Sequence, residues 1–414
     1  MNVLIACEDF RVGGAQVFCL NLGKALGKNH NVYLYSQYRD YVDSELVRQH
    51  YPKARIIVPD IPLDKAVRKL DRLLYKLDID WSLRDHFVIR HMRKTISHLN
   101  VQLVHSNMFK SDHLFCRAMK EYPVPLVITM HGNYETFLDN IREAKGERIL
   151  NYMQKVGDIV KRIDALVYLT DKNLRVLNEL DSNTMQHSTS FVRRKIYNGF
   201  SHNNTKSVFD GRQKLGISGH HTLFGLVARG IPEKGWESAI RALLAMDDNK
   251  NAALILVGDS SYLDTLKGGF SQQENIHFVG YSSNPLEWID CFDVGLLPTV
   301  YGESLPTSII EYLSCGKPVI STDIGEIRQM LTLGAEKAGE ILKVKDNQVN
   351  TKELTKAMEN LHRNKKKRAR FAKTAKVLSA RFSMGKCRDS YLTLYYSLID
   401  GHEPLSVSTG TNIL

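Results

Sequence analysis

The feature that most constrains this chain is a pattern that runs twice. Short apolar runs alternate with longer stretches whose apolar residues recur at helical spacing. Parallel strands can be joined only by a crossover, so strand–helix–strand order predicts parallel sheets with helices on their faces. In the first half the runs are Val3–Ala6, Val32–Tyr35, Gln102–His105, Leu126–Thr129 and Ala165–Leu169, with Gly13-Gly14 opening a helix over Ala15–Leu26. The second half restarts with Leu223–Val227 and a helix over Trp236–Met246. Ala253–Val257, Ile276–Val279, Val294–Leu297 and Pro318–Ile320 follow.

At 414 residues the chain has room for two domains. The polar segment Asn198–Gly211 falls between the two sets. The reading is α/β: two Rossmann-like domains, residues 1–200 and 201–383, facing each other across a cleft. Open sheets of this kind take ligands at the carboxyl ends of their strands. The tail 401–414 reads as irregular.

A net charge of +11, concentrated in the first 200 residues, favours an anionic partner: a nucleotide, a phosphorylated acceptor or a membrane surface. Zinc-finger, RRM and bZIP patterns are missing, so nucleic acid is not expected. Six scattered cysteines form no C-x-x-C pair and read as reduced thiols. The first residues lack the basic n-region of a secretory signal, and no run approaches roughly 20 apolar residues. These observations predict a cytoplasmic protein, with the cytoplasmic face of a membrane as an alternative.

The stretch 301–322, YGESLPTSIIEYLSCGKPVIST, concentrates the chemistry. It predicts a loop carrying Glu303, then a helix over Leu305–Cys315 closed by Gly316, with Pro318 forcing the exit. Glu311 falls about two turns along, pointing back toward the loop. Free amides around Ser304, Leu305, Pro306 and Thr307 would make an anion site. One carboxylate suits sugar hydroxyls, the amides a diphosphate, and the second carboxylate ribose hydroxyls, because carboxylates are pure acceptors. Two glutamates at this spacing occur in many ordinary helices; the surrounding residues lend this pair its weight.

With those neighbours the stretch resembles the E-x7-E signature of family 4 of the retaining glycosyltransferases. Glycine precedes the first Glu, Leu-Pro follows it, and Cys-Gly-Lys-Pro-Val-Ile and Asp323-Ile324-Gly325-Glu326 come in order. The resemblance extends to Arg229-Gly230-Ile231-Pro232-Glu233-Lys234-Gly235, which implies that Arg229 and Lys234 hold the donor diphosphate. Gly13-Gly14-Ala15-Gln16 is similar to the family's glycine loop, placing Gly14 at the donor, although Gln16 stands where Glu is usual. Thr129-Met130-His131-Gly132 implies that His131 faces the donor sugar, and Gly280-Tyr281 that main chain there meets the base. Tyr197-Asn198-Gly199 resembles the residues before the interdomain linker, and Met384–Ile399 the last helix, crossing back to the first domain over 384–400.

The resemblance implies a GT-B fold and metal-independent transfer of a hexose-type sugar, with retention, from a nucleoside-diphosphate sugar, UDP favoured. The acceptor would be a glycan, lipid-linked or polymer molecule of a surface polysaccharide or glycoconjugate pathway. No cofactor is expected. Two fixed cations would stabilise the charge that grows on the leaving diphosphate. Front-face displacement fits, with Glu303 orienting the sugar. Two other readings stay open: a non-catalytic partner subunit, which the Gln16 departure allows, and a same-fold sugar-nucleotide epimerase.

Three further signals are weaker. Asp78-Ile79-Asp80 spells D-x-D but follows no buried strand, so it is not expected to bind a metal. Over 64–80, Val67, Leu70, Leu74 and Leu77 with Lys65, Arg68, Lys69, Arg72 and Lys76 describe a basic amphipathic helix, which can lie on an anionic membrane or cover a core. HRNKKKRAR over 362–370 reads as a solvated helix face.

Overall fold

The computed structural model describes residues 1–77, 79, 81–131, 147–171, 173, 191–201, 209–300 and 302–401. Asp78, Asp80, Gly132, Tyr301 and the tail 402–414 therefore lie outside the described residues. The chain divides into two compact units, Met1–Gly199 with the segment that begins at Met384, and Phe200–Ser383.

The first unit is built on seven parallel strands: β1 (Asn2–Cys7), β2 (Asn31–Ser36), β3 (Ile56–Ile57), β4 (Leu103–Asn107), β5 (Leu126–Met130), β6 (Ala165–Tyr168) and β7 (Val192–Lys195). Their order is β3-β2-β1-β4-β5-β6-β7. Strand side chains alternate between two cores: Leu4 and Ala6 of β1 join Val104 and Ile128 on one face, and Val3, Ile5 and Cys7 join Leu103 and Val127 on the other. That two-sided burial is why these runs are continuously apolar. The edge strands β3 and β7 escape the sequence pattern, because one is two residues long and the other reads Val-Arg-Arg-Lys.

The C-terminal helix Met384–Ile399 packs Tyr391, Leu394 and Tyr395 into the second of these cores. It is fastened by a buried chain of hydrogen bonds. His105 Nδ1 meets the Tyr395 hydroxyl at 2.7 Å and Nε2 meets Thr129 Oγ1 at 2.7 Å; the Tyr391 hydroxyl reaches the same Thr129 at 2.8 Å. Both ring nitrogens of His105 are engaged, and burial pushes its pKa down to about 3, so it stays neutral.

The second unit has six parallel strands: β8 (Thr222–Val227), β9 (Ala252–Val257), β10 (Ile276–Gly280), β11 (Val294–Leu297), β12 (Val319–Thr322) and β13 (Gly339–Leu342), ordered β10-β9-β8-β11-β12-β13. Of the strands in this sheet the sequence pattern misses β13; the short antiparallel pairs Thr332–Leu333 with Glu336–Lys337 and Val344–Lys345 with Gln348–Val349 also escape it. The helix after β8 is Trp236–Leu244, two residues shorter than expected.

One helical alternative is resolved and one helical expectation needs correction. The basic helix is found at Asp64–Lys76, but among its residues only Val67 is buried. Leu63 and Leu77 are 81 % and 62 % exposed, and Leu70 and Leu73 are exposed with them. Carboxylates fasten this helix instead of leucines. Asp64 accepts from Arg68 Nε and from Arg84 Nε at 2.9 Å, and Asp71 caps the next helix by accepting from the Ser82 hydroxyl at 2.7 Å and the Leu83 amide at 2.9 Å. The basic run 362–370 is also not one helix face: Asn364 ends the helix Thr351–Arg363 and caps Lys365–Ser379 through the Lys367 amide. No helix among the described residues is long and apolar enough to cross a membrane.

Candidate active site

The site in the second unit starts at the carboxyl end of β8. The chain leaves through Arg229, turns one 3-10 turn at Pro232–Lys234, and enters the helix Trp236–Leu244 through Gly235. Gly235 has φ +78°, and a Cβ there would sit 2.1 Å from the Pro298 carbonyl oxygen, so only glycine fits. This tight approach locks the Lys234 turn to the loop after β11. The lock is completed by hydrogen bonds to the Glu233 carbonyl from the Val300 amide at 2.8 Å and the Thr299 hydroxyl at 3.2 Å.

Lys234 and Glu303 meet here. The Lys234 ammonium donates to Glu303 Oε1, which also accepts from the Thr299 hydroxyl at 3.2 Å. Their side chains are 9 % and 10 % exposed, so the pair is nearly dry. Charges this far from water persist only when matched and hydrogen-bonded. Gly325 supports the Glu303 loop from behind: φ is +58°, and a Cβ would lie 1.7 Å from the Glu303 carbonyl oxygen. The Glu326 amide then donates to the Ser304 carbonyl at 3.2 Å. Arg229 is exposed, and its guanidinium has no partner among the described residues.

The following helix is Thr307–Ser314, shorter than Leu305–Cys315. Pro306 is its N-cap in extended conformation, and Cys315 is its C-cap, with Gly316 in the left-handed conformation one residue later. Glu311 is therefore the fifth helical residue, little more than one turn in. Leu305 and Pro306 are buried, Ser304 is half-buried and Thr307 exposed. No side chain caps the N-terminus, and no acid occupies the first turn, so the amides keep their positive end. Burial lifts the Glu311 carboxyl from 4.5 to about 7.

Tyr312, which the sequence reading did not single out, positions this helix. Its hydroxyl accepts from the Val227 amide at 2.8 Å and donates to the Leu296 carbonyl at 3.1 Å. Its ring fills the space that a Cβ on Gly295 would need. The glycine inside β11 was the available signal. At β10, Gly280 ends the strand with φ +82° after a register shift, and Tyr281 beside it is 72 % exposed.

His131 and Gly14 belong to the first unit. Asn107 is the last residue of β4 and His131 follows the neighbouring β5, and His131 Nε2 meets Asn107 Oδ1 at 2.9 Å. The His131 ring lies 5.0 Å from that of Phe18, on the helix Gly14–Leu26, and burial holds its pKa down near 4. Gly13 is the extended N-cap of this helix. Gln16 is buried and donates to Asp9 Oδ1 at 3.1 Å. Asp9 also accepts from the Arg11 amide at 3.1 Å and Nη2 at 2.6 Å. An acid at position 16 would face the Asp9 carboxylate, which gives the glutamine a local reason.

Two Rossmann-like units with parallel sheets define the GT-B class of fold. Anabaena HepE, solved in complex with UDP and glucose, shares it: TM-score 0.72, 17 % identity, 96 % of this chain and all of that one. The chain's place within the class comes from its sequence. Residues 208–377 match the family model "Glycosyl transferases group 1", and residues 12–182 match "Glycosyltransferase Family 4". Together they indicate a glycosyltransferase of the group 1/family 4 type. Among curated relatives, N-acetyl-alpha-D-glucosaminyl L-malate synthase of Bacillus anthracis is 23 % identical over 72 % of this chain and 76 % of its own. The N,N'-diacetylbacillosaminyl-diphospho-undecaprenol alpha-1,3-N-acetylgalactosaminyltransferase of Campylobacter jejuni is 21 % identical over 83 % and 91 %.

Proposed function

We propose that the chain is a retaining, metal-independent hexosyltransferase that uses a UDP-sugar to extend a glycan or lipid-linked acceptor in surface polysaccharide or glycoconjugate synthesis. The observation that carries this is the dry Lys234–Glu303 pair beside an uncapped helix N-terminus that holds Glu311. Lys234, Arg229 and the amides at Ser304 and Thr307 bind the diphosphate and take up its growing charge. Glu303 orients the sugar hydroxyls, and Glu311 accepts from the ribose. Main chain at Gly280-Tyr281 meets the base, and His131 and Gly14 are further donor contacts in this reading. In the reacting step the acceptor oxygen bonds to the anomeric carbon on the face from which the phosphate oxygen departs. The hydroxyl proton passes to that departing oxygen. UDP is favoured because HepE was solved with it, and a membrane-borne acceptor because the Campylobacter relative acts on an undecaprenol-linked one.

The exposed leucines and adjoining cations of Asp64–Lys76 support contact with an anionic membrane. Thermal stabilisation by UDP, GDP, ADP and inorganic phosphate, on wild type and Glu311→Ala, tests the donor site. Ligand at 100 times its Kd adds about 2.7 kcal/mol. UDP should stabilise the wild type most and the variant clearly less. If no nucleotide acts at millimolar concentration, the isolated chain lacks a donor site and the partner-subunit reading replaces this one.

A further inference from the structure

The second unit carries a cleft of about 660 Å³ that the donor chemistry does not use. It forms where the helix Thr351–Arg363 ends and the helix Lys365–Ser379 begins, with Asn364 between them. Arg363 fixes its place in the fold. The Nη2 of that residue donates at 2.8 Å to Asp247 Oδ2, in the turn that leads into the start of β9. The loops that carry Arg229, Lys234 and Glu303 leave the other ends of the strands, after β8 and β11.

The turn between the two helices is held firmly. Asn364 Oδ1 accepts from the Lys367 amide at 2.9 Å, and Arg368 Nη1 reaches back to the Leu361 carbonyl and, at 2.8 Å, to the His362 carbonyl. Lys367 pairs with Glu340. Lys356, Lys365 and Lys366 are different: they line the cleft, they are exposed, and their ammonium groups have no partner among the described residues. Lys365, Lys366 and Lys367 are also the first three residues of a 15-residue helix with no acid in its first turn. The amides at a helix start carry roughly half a positive charge and favour Asp or Glu beside them. Three lysines there work against the helix, a cost that a merely solvated face has no need to bear and that proteins accept at sites.

The lining selects the ligand. Lys356, Arg363, Lys365 and Lys366 surround one carboxylate, Glu359, which already accepts from the Asp247 amide at 3.0 Å and lies 3.8 Å from Arg363. Asn360 and Asn364 complete the wall, so among the described residues no apolar or aromatic side chain lines it. A nucleobase or an acyl chain would find nothing to cover there, whereas a compact anion with several charges would find cations on both sides. Ammonium groups and helix-terminal amides both suit phosphoryl oxygens.

We propose that this cleft is a second anion site, for a small ligand that carries two or more phosphoryl groups. Lys356, Lys365 and Lys366 close on its oxygens, Arg363 meets it already fixed by Asp247, and the amides that open the helix Lys365–Ser379 receive one phosphoryl group. The site lies apart from the donor loops and stands whether or not the chain is a transferase.

Calorimetric titration of the full chain at low salt with inorganic phosphate, pyrophosphate, tripolyphosphate and fructose 1,6-bisphosphate tests it. At least one of the last three should bind about tenfold or more tighter than phosphate, because several phosphoryl groups meet several cations. Tripolyphosphate in the lead marks a polyphosphate chain and fructose 1,6-bisphosphate a phosphorylated sugar; either upholds the site. Lys365→Glu with Lys366→Glu should weaken that binding about tenfold or more. Without ligand the same pair should raise Tm by about 1–3 °C, because acids replace cations at a helix start. Arg229→Gln, at the donor loop, should leave the binding within about twofold, and so should Lys28→Glu with Lys120→Glu, an exposed pair in the first unit that changes net charge equally. Phosphate binding as tight as that of the larger anions, or no binding of any, overturns the proposal. So does a loss in Arg229→Gln or in the distant pair as large as in the cleft pair, or a cleft pair that melts below wild type. Binding to vesicles rich in phosphatidylglycerol that the cleft pair abolishes, in protein that takes up none of the four anions, overturns it in favour of a membrane face.

Discussion

Glu311→Gln should stabilise the protein at alkaline pH while damaging its nucleotide site. Burial raises the Glu311 carboxyl from 4.5 to about 7. At 1.36 kcal/mol per unit, ionising it costs the folded state about 3 kcal/mol. The sign follows from which state holds the proton. Between pH 4.5 and 7 the unfolded chain has released it and the folded chain retains it, so wild-type stability falls as pH rises through that window and levels above it. Glutamine has no such charge. The two proteins should therefore melt together near pH 4.5 and separate on raising the pH. At pH 8 the variant should lead by up to about 3 kcal/mol, or several degrees in Tm. Losing a charged acceptor for ribose hydroxyls removes about 1.5–3 kcal/mol of binding, so UDP affinity at pH 8 should drop about tenfold or more. Scanning calorimetry at pH 4.5, 6, 7 and 8, with and without UDP, reads both effects. A variant that is less stable than wild type at pH 8, or a gap that does not change with pH, would refute the reasoning.

Lys234→Met strands the Glu303 carboxylate in a nearly dry site and should cost about 3–5 kcal/mol in urea unfolding; Lys234→Met with Glu303→Leu should recover most of that and still not respond to UDP. Two glycines with positive φ should separate strain from collision: Gly280→Ala, with open space around its Cβ, should lose about 1–2 kcal/mol, whereas Gly325→Ala, driven into the Glu303 carbonyl, should lose more and abolish the UDP response. Intact-mass analysis after incubation with UDP-sugars and with 2-fluoro donor analogues should find no glycosyl adduct; an adduct on Glu303 ends the front-face mechanism. Leu70→Glu with Leu73→Glu should abolish co-sedimentation with vesicles rich in phosphatidylglycerol and leave Tm within about 1 °C, because both leucines are exposed; unchanged sedimentation removes the membrane contact.

Much of the architecture was legible because fully buried parallel strands must be apolar on both faces, and the runs at Val3–Ala6, Ala253–Val257 and Val294–Leu297 say so without help. Edge strands carry no such obligation, and Val192–Lys195 could not be read from its arginines. Pro306 moved the start of the glutamate-bearing helix: it holds extended backbone at the cap, so Glu311 lies one turn in where the spacing alone allowed two.

The sequence by itself determined the two-fold repeat of strand and helix, the order of the charged residues along the second unit, and the glycines on which their loops turn. Each of these is a local property of composition and spacing. Tertiary structure alone decided that Lys234 and Glu303, 69 residues apart, share one dry pocket, because the β8 and β11 turns are pinned together at Gly235 and the Pro298 carbonyl. It likewise decided that the leucines of Asp64–Lys76 remain at the surface. Helical periodicity specifies which residues share a face, but burial of that face depends on what the rest of the chain brings against it, and here carboxylates and arginines hold the other side.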